Sequence, residues 1–258
     1  MGNPDATQLD RARQLIALIP AALADEAREP YSAIAIVYLL LLDADTVILD
    51  RQLMRLAASA DINLMLRQQD LLPLRDQINP AIRLPLLELT MPALRQLTQR
   101  QYVLFKDNID ALIRADQKMG LSEWALQKFV VKHLGDAFDS HQRRAGGKRY
   151  AAVSKDCAML LSMLAYCDVT SSVEPSAAFE RGCHHLDITM GLLPRESMSL
   201  ELLNTSVDSL TRLRPLLKPR LLKACIATIT ADGIATPIEI ELVRTVADML
   251  DCPMPPIV

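Results

Sequence analysis

Two pairs of carboxylates stand in matching turns of the chain and are the residues best placed to do chemistry. Asp116 is followed by Glu123, and Asp232 is followed by Glu239. The second pair lies 116 residues after the first, so the two turns belong to an internal repeat. Carboxylate oxygens are the ligands that hard divalent cations prefer. Asp116, Glu123, Asp232 and Glu239 are therefore candidate metal-binding residues.

The same carboxylates have a structural interpretation that involves no metal. A glutamate three residues into a helix can accept hydrogen bonds from the N-cap residue, and an aspartate can close the preceding helix. Calcium needs about six to eight oxygen ligands, more than two carboxylates in a turn supply. The EF-hand pattern also fails, because Ile234 and Thr236 stand at ligand positions two and four residues after Asp232. The sequence favours capping over cation binding.

No other catalytic or metal-binding pattern is present in the sequence. A zinc metallopeptidase helix needs an H-E-x-x-H motif, and none of the histidines begins one. His184 and His185 follow Cys183, but adjacent side chains on a helix point about 100° apart, which disfavours a shared metal. There is no G-x-S-x-G elbow and no phosphate-binding loop. The cysteines are odd in number and scattered, which predicts reduced thiols in an intracellular compartment: Cys157, Cys167, Cys183, Cys225 and Cys252.

The residues around each acidic pair predict a helical hairpin. One amphipathic helical pattern ends before the turn and a second begins after it. In the second turn Gly233 supplies a left-handed residue, and Thr236 is a natural N-cap. Pro237 fits the first helical position, and Glu239 completes a Thr-x-x-Glu capping box. Gly120 stands where Thr236 does, so the first turn should depend more on packing.

Helical periodicity runs through nearly the whole chain, and no alternating strand pattern competes with it. We therefore predict an all-α fold of helical hairpin repeats, preceded by an N-terminal helical segment. Prolines such as Pro30, Pro80 and Pro85 are expected to separate helices. Outside the first hairpin the predicted helices cover 8–24, 31–42, 46–58, 64–78, 84–97, 150–166 and 175–190, with a last group from residue 200 onward.

Composition and charge argue against several function classes. The net charge of −3 gives no global field for nucleic acid, and 4% aromatic residues leave few stacking platforms, so nucleic-acid binding is not expected. The longest apolar run, 33–42, is shorter than the roughly 20 residues of a bilayer span, so no membrane span is predicted.

A basic loop near 139–149 and a basic stretch from Arg212 to Lys223 are interpreted as solvated surface.

The segments 83–124 and 231–256, which carry the acidic turns, resemble the C-terminal region of bacterial membrane zinc metallopeptidases of family forty-eight. That family contains the HtpX-like and CaaX-prenyl-protease-like enzymes. The acidic turns also resemble those of TerB-like helical domains, which are named for tellurite-resistance proteins. The resemblance implies a zinc protease domain and membrane-spanning segments upstream, with this chain as the cytosolic helical tail. No catalytic residue of the family has a counterpart here, so zinc is implied for the parent and no cofactor for this chain.

The resemblance also implies a division of the chain. An N-terminal helical segment would cover 1–97, and a TerB-like domain would cover 98–258. Within that domain the two pseudo-repeats would lie at about 99–138 and 200–252, with the basic loop near 139–149 between them.

The function implied is that of a noncatalytic regulatory or protein-interaction tail. Its partner would be the parent protease domain or another protein, in the cytoplasm or at the cytosolic side of the inner membrane. The alternative hypothesis is a stand-alone TerB-like stress-response protein that binds a cation through Asp116, Glu123, Asp232 and Glu239.

Overall fold

The computed structural model describes residues 6–59, 61–115, 120–138, 147–168, 171–186 and 188–252. Within these residues there are thirteen α-helices and no strand, which confirms the predicted all-α fold class. None of the described helices combines the length and the apolar character needed to cross a bilayer.

Backbone contacts divide the chain into two compact units. We call the described residues between 6 and 138 the N-terminal unit and those between 147 and 252 the C-terminal unit. The predicted division between residues 97 and 98 differs from this one, because it falls inside the N-terminal unit. The two helical hairpins therefore belong to different units.

The N-terminal unit is built from the first eight helices. Their bounds are α1 Ala6–Ala17, α2 Ala21–Glu26, α3 Pro30–Leu41, α4 Thr46–Ser59, α5 Ile62–Leu71, α6 Pro80–Leu94, α7 Gln99–Ile113 and α8 Leu121–Phe138. Helix α3 is central: every residue from Ser32 to Leu41 is buried, as expected for a helix that is apolar on all faces. Helices α5, α6 and α7 pack on α3, while α8 packs on α6 and α7. The first hairpin thus completes a core that the upstream helices begin.

Hydrogen bonds of polar side chains, most of them buried, join α3, α4 and α7. The Asn108 Nδ2 atom donates to the Tyr38 hydroxyl oxygen at 3.0 Å, and the Ser59 hydroxyl donates to Asn108 Oδ1 at 2.6 Å. Gln52 Nε2 donates to the carbonyl oxygen of Leu112 at 3.2 Å. Burial raises the pKa of Tyr38, so its hydroxyl stays neutral. Because an unpaired buried polar group is costly, these bonds restrict how the three helices can pack.

The C-terminal unit contains the remaining helices. Their bounds are α9 Ser154–Ala165, α10 Pro175–Cys183, α11 Leu200–Leu210, α12 Lys218–Ile229 and α13 Pro237–Met249. Helices α10, α11 and α12 pack on α9, and α13 packs on α11 and α12. Gly182 on α10 lies so close to α12 that a Cβ atom there would overlap Thr228 Oγ1 and lie 3.0 Å from the carbonyl oxygen of Ala224. A glycine is therefore required at this crossing.

Prolines begin helices as predicted at two positions, but a third lies inside a helix. Pro30 and Pro80 occupy the first turns of α3 and α6. Pro85, which was expected to separate helices, lies within α6. Asn79 starts that helix earlier, because its Oδ1 accepts hydrogen bonds from two N–H groups of the first turn at 2.9 and 3.2 Å. The cap and the buried apolar residues of α6 offset the one hydrogen bond that Pro85 removes.

Three other predicted helices are longer than the observed ones. The predicted helix 8–24 is split into α1 and α2, with Pro20 preceding α2. The predicted helix 64–78 corresponds to α5, which ends at Leu71 and is followed by a 3-10 helix, Leu72–Gln77. The predicted helix 175–190 ends at Cys183, where α10 ends.

Candidate functional site

The second acidic turn joins α12 to α13 and has the local geometry that the sequence predicts. Gly233 has a φ of 88°, in the left-handed region that favours glycine. Thr236 is the extended N-cap residue of α13, and Pro237 occupies its first position. The predicted turn chemistry is confirmed at these three residues.

Glu239 uses its carboxylate to cap the helix that contains it. Its Oε2 atom accepts hydrogen bonds from the Thr236 backbone N–H at 2.8 Å and from the Thr236 hydroxyl at 2.7 Å. The residue is only 4% exposed. The predicted capping box is formed, and the carboxylate is directed to the helix start.

Asp232 stabilises the turn rather than the end of α12. Its Oδ1 atom accepts a hydrogen bond from the Ile234 N–H at 3.0 Å, and its Oδ2 accepts one from the Ser171 hydroxyl at 2.8 Å. Ser171 belongs to the loop between α9 and α10. The neighbouring carbonyl oxygen of Ala231 accepts a hydrogen bond from Arg181 Nη1 at 2.5 Å. Asp232 and its neighbour therefore tie the turn to two other parts of the C-terminal unit.

The two carboxyl groups of this turn have pKa shifts of opposite sign. Burial is the main cause that raises the pKa of Glu239, and the negative charges of Asp168 and Asp232 raise it further. The backbone N–H of Ile234 is the main cause that lowers the pKa of Asp232, followed by the Ser171 hydroxyl. The turn therefore contains one carboxyl group that resists ionisation and one that favours it.

The first acidic turn is described in part. Asp116 lies outside the described residues. Glu123 Oε2 accepts a short hydrogen bond from the Gly120 N–H, as Glu239 does from the N–H of Thr236. The carboxylate cap thus occurs at the same place in both turns, although the residue it caps is glycine in the first.

The structure brings Asp232 and Glu239 to one turn, with Asp168 close enough for its charge to act on Glu239. Both oxygens of Asp232 and the Oε2 atom of Glu239 accept hydrogen bonds from protein donors. Within the described part of the chain, no group of three or more His, Cys, Asp or Glu residues is arranged to hold a metal ion. A cation at this turn would have to compete with the hydrogen bonds that form it.

Glu123 also lines a cleft of about 490 Å³ in the N-terminal unit. Two arginines of this cleft donate to the last carbonyl groups of α3. Arg75 Nη2 bonds the Leu42 oxygen at 3.2 Å, and Arg83 Nη2 bonds the Leu40 oxygen at 3.1 Å. Guanidinium groups placed in this way satisfy carbonyl groups that the helix end leaves without intrahelical partners. The two arginines of the cleft therefore have a structural role at the end of α3.

The cysteines are free thiols, and their surroundings oppose nucleophilic chemistry. Burial raises the pKa of Cys157 and Cys167 to about 12 and that of Cys183 to about 11. Burial raises the pKa of Cys225 as well. The thiolate is the nucleophilic form, so these groups are unreactive thiols near neutral pH.

A basic surface in the C-terminal unit was not predicted as a site. Two segments, 147–151 and 212–217, run side by side there, and we call them the basic platform. The Lys148 N–H donates to the Arg212 carbonyl oxygen at 3.0 Å, and the Arg214 N–H donates to the Lys148 carbonyl oxygen at 3.1 Å. Backbone bonds between residues more than 60 positions apart therefore fix the platform.

A groove on the platform exposes an apolar residue. The Tyr150 hydroxyl donates to the Leu217 carbonyl oxygen at 2.6 Å, and the Leu217 N–H donates to the Arg214 carbonyl oxygen at 2.9 Å. Leu216 lies in this fixed turn and is 91% exposed. The groove has a volume of about 600 Å³ and is lined by Ile188 and by platform residues 149–151 and 214–217. We call it the Leu216 groove.

The sequence shows the basic residues of this groove but not the pairing of the two segments that form it. The basic residues around Pro215 and Pro219 were visible, but they were interpreted as a helix boundary with solvated side chains. Of the predicted basic loop, residues 139–146 lie outside the described residues, and 147–149 belong to the platform. The pairing of 147–151 with 212–217 is a tertiary contact that periodicity does not reveal.

Comparison of the chain with models of known protein families, with characterised proteins and with solved structures finds no match in any of the three. The resemblance to metallopeptidase tails and to TerB-like domains therefore stays a prediction.

Proposed function

We infer that this chain is a noncatalytic protein-interaction module whose docking site is the Leu216 groove. One observation carries this proposal: a leucine that is 91% exposed stands at a concave apolar surface whose backbone is held by hydrogen bonds. Glu123, Asp232 and Glu239 take no part in it, because their carboxylates accept hydrogen bonds within caps and turns.

An exposed leucine on a rigid surface favours association. Burying a leucine side chain in a partner gains about 1.5–3 kcal/mol relative to leaving it in water. A surface that is already ordered loses little conformational entropy when it binds, so more of that gain appears as affinity. Hydrogen bonds at both ends of the 214–217 turn provide this order.

The partner that we propose is a protein, either the domain of a parent protease or another polypeptide. The resemblance of 83–124 and 231–256 to tails of membrane zinc metallopeptidases supports a parent of that class, which would hold the zinc and place this chain at the cytosolic side of the inner membrane. Reading the coding frame upstream of Met1 tests the parent. An H-E-x-x-H helix and apolar spans of about 20 residues are expected there; a ribosome-binding site immediately before Met1 would contradict the tail proposal.

Site-specific photocrosslinking tests the docking site. A photoreactive amino acid at position 216 should give a discrete adduct in cells, which mass spectrometry identifies and which is then rebuilt from purified proteins. Leu216→Asp should weaken that binding at least tenfold, since it places a charge where an apolar contact is needed. The matched control is Ile234→Asp, because Ile234 is 69% exposed in the same unit but outside the groove.

Two results would overturn the docking proposal. One is the absence of an adduct at position 216 when crosslinking elsewhere on the chain succeeds. The other is an equal loss of binding in Leu216→Asp and Ile234→Asp, which would place the contact outside the groove. Circular dichroism of both variants shows whether they are folded.

The alternative hypothesis, a stand-alone TerB-like stress-response protein, is tested by metal analysis. Purified chain and the double variant Asp232→Ala with Glu239→Ala are compared by elemental analysis, and the unmutated chain is melted with and without a chelator. We expect no stoichiometric metal and no change of melting temperature on chelation, because the oxygens accept protein hydrogen bonds. Stoichiometric metal that is lost in the double variant would replace the docking proposal.

A further inference from the structure

The two segments that line most of the Leu216 groove carry positive charge. Every charged residue in 147–155 and in 212–223 is a lysine or an arginine, although the whole chain has a net charge of −3. These segments contain the basic platform and the first half of α12. Positive charge concentrated in two neighbouring segments attracts acidic partners and orients them.

Two arginines bring this charge into the groove itself. Arg149 and Arg214 line it, and both are exposed. Arg214 Nε donates to the Gly147 carbonyl oxygen at 3.3 Å, which fixes one side of the guanidinium and leaves its terminal nitrogens as donors. Among the described residues neither arginine is in an ion pair, and no carboxylate is among the described residues that line the groove. The positive charges are therefore not neutralised by the groove.

The rest of the groove is apolar and concave. Its apolar lining residues are Ala151, Ile188, Pro215, Leu216 and Leu217. A volume of about 600 Å³ lies within the range of ligand-binding pockets and accepts inserted side chains. Apolar side chains next to two arginines match a polypeptide segment that carries both apolar and acidic side chains.

We propose that the Leu216 groove binds an acidic peptide segment that also carries large apolar side chains. Its apolar side chains fill the groove against Leu216, and its carboxylates pair with Arg149 and Arg214. Arginine suits this task because its planar guanidinium binds a carboxylate through two parallel hydrogen bonds. This inference rests on the proposed docking function and names the chemistry of the partner.

Selection from a random peptide library tests the partner chemistry on the full chain. Phage displaying random 12-residue peptides are selected on the unmutated protein after depletion on Leu216→Asp, which removes peptides that bind elsewhere. The recovered peptides should be enriched in Asp and Glu together with Leu, Ile, Phe or Trp. For the best peptide, fluorescence anisotropy should show at least tenfold weaker binding when its Asp and Glu residues are replaced by Asn and Gln.

A charge exchange tests the arginines directly. The double variant Arg149→Glu with Arg214→Glu should lose at least tenfold in affinity for the acidic peptide and should recover binding to a peptide with Lys in place of Asp and Glu. Lys223→Glu is the matched control, because Lys223 is an exposed cation of α12 that does not line the groove. It should leave the affinity within about twofold.

The outcomes separate this inference from the docking function. Leu216-dependent peptides without an acidic excess, or an unchanged affinity in the double arginine variant, would overturn the acidic partner while leaving the docking site in place. Failure to recover any Leu216-dependent peptide would overturn both. Sedimentation with phosphatidylglycerol vesicles that is lost in Leu216→Asp, without any selected peptide, would assign the groove to a membrane and also overturn both.

Discussion

The two helical hairpins have helices that end and begin at matching positions in two different units. Helix α7 ends at Ile113 and α12 at Ile229, while α8 begins at Leu121 and α13 at Pro237. Each of these spacings is 116 residues, the same as the spacing of the acidic pairs. A glutamate three residues after the N-cap position accepts its N–H in both hairpins. The glutamate cap therefore occurs at the start of the second helix in both hairpins, although different helices pack against them.

The hairpins differ in how their first helices are held. Asn108 on α7 hydrogen-bonds the Tyr38 hydroxyl and accepts from Ser59. The residue 116 positions later is Ala224 on α12, whose carbonyl oxygen faces Gly182. In the N-terminal unit the first helix of the hairpin is therefore attached by side-chain hydrogen bonds. In the C-terminal unit it packs closely against α10 at Gly182. Two hairpins with the same helix spacing can therefore pack into their units through different kinds of contact.

The turns also differ in burial. Glu239 is buried and accepts from both the N–H and the hydroxyl of Thr236, whereas Glu123 is partly exposed and accepts from the N–H of Gly120. The second turn is therefore the one in which carboxylate ionisation should affect folding most.

The largest expected loss of stability follows from a substitution at Gly182, where α10 approaches α12 in the C-terminal unit. Gly182→Ala places a methyl group against Thr228 Oγ1 and 3.0 Å from the carbonyl oxygen of Ala224. The hydroxyl can rotate but the carbonyl oxygen is fixed in α12, so we expect the free energy of unfolding to fall by about 3 kcal/mol. Urea denaturation followed by circular dichroism measures it.

Two controls define this effect. Gly191→Ala should change stability by less than about 0.5 kcal/mol, because no atom lies within 4 Å of the added Cβ. Adding Thr228→Ala to Gly182→Ala should recover only part of the loss, since the contact with Ala224 remains. Wild-type stability in Gly182→Ala alone would show that the two helices do not depend on a glycine.

The second-largest expected loss of stability follows from a substitution at Asn108, which hydrogen-bonds Tyr38 and Ser59 in the N-terminal unit. Asn108→Ala gives α7 the residue that α12 has at the equivalent position, and it removes the amide partner of the buried Tyr38 hydroxyl and of the Ser59 hydroxyl. We expect a loss of about 2 kcal/mol in the same denaturation experiment. Ser59→Ala, which removes one bond at the edge of the network, should cost about 1 kcal/mol. An Asn108→Ala loss smaller than that of Ser59→Ala would contradict the role given to the network.

The pH dependence of stability should distinguish the two carboxyl groups of the second turn. The folded-state pKa of Glu239 is raised above its ordinary value of 4.5, so its contribution to stability is present below that pH and is lost as the pH rises through the folded-state pKa. The pKa of Asp232 is lowered from 3.8, so its contribution is present above that pH and is lost as the pH falls through the folded-state pKa.

Urea unfolding from about pH 3 to pH 7 measures both contributions. As the pH rises, Glu239→Gln should gain stability relative to the unmutated protein, whereas Asp232→Asn should lose it. Glu239→Gln keeps one oxygen for the two donors of Thr236, whereas Asp232→Asn keeps only one of the two oxygens that accept hydrogen bonds. The comparison therefore uses the change of stability with pH and not its absolute value. Differences of the same sign for both variants would refute the opposite pKa shifts.

The smallest expected loss of stability follows from a substitution at Thr236, the N-cap residue of α13. Thr236→Gly gives the second turn the residue of the first, and the Glu239 carboxylate still accepts from the backbone N–H at that position. We expect a loss of about 0.3 kcal/mol, because glycine is a tolerated N-cap. Glu239→Ala removes the cap itself and should cost about 1 kcal/mol. Equal losses in the two variants would mean that the hydroxyl, and not the N–H, is the main partner of Glu239.

Features that depend on neighbours in sequence were predictable. The positive φ of Gly233, the N-cap at Thr236 and the helix start at Pro237 all follow from residues within the turn. Pro85 departs from this rule: a proline usually ends a helix, but a cap six residues earlier and the burial of α6 keep the helix continuous. Local propensity is decisive only where packing does not oppose it.

The division of the chain into two units and the presence of the Leu216 groove could not be predicted from sequence patterns. The first hairpin joins the upstream helices because α7 and α8 bury their apolar faces on α3, α4 and α6, and periodicity shows that a face is apolar without showing which face covers it. The groove depends in the same way on the pairing of 147–151 with 212–217. In the sequence these are two short basic stretches with no visible relation.

The sequence by itself determined the all-α class, the repeated hairpin and the capping carboxylates, because helix periodicity and turn chemistry act over fewer than about ten residues. Only the tertiary structure decided how the hairpins were divided between two units, that Gly182 must lie against Thr228, and that Arg149 and Arg214 line one groove beside an exposed leucine. Those relations join residues that are far apart in the chain, and they are selected by the free energy of packing whole surfaces, which no local pattern encodes.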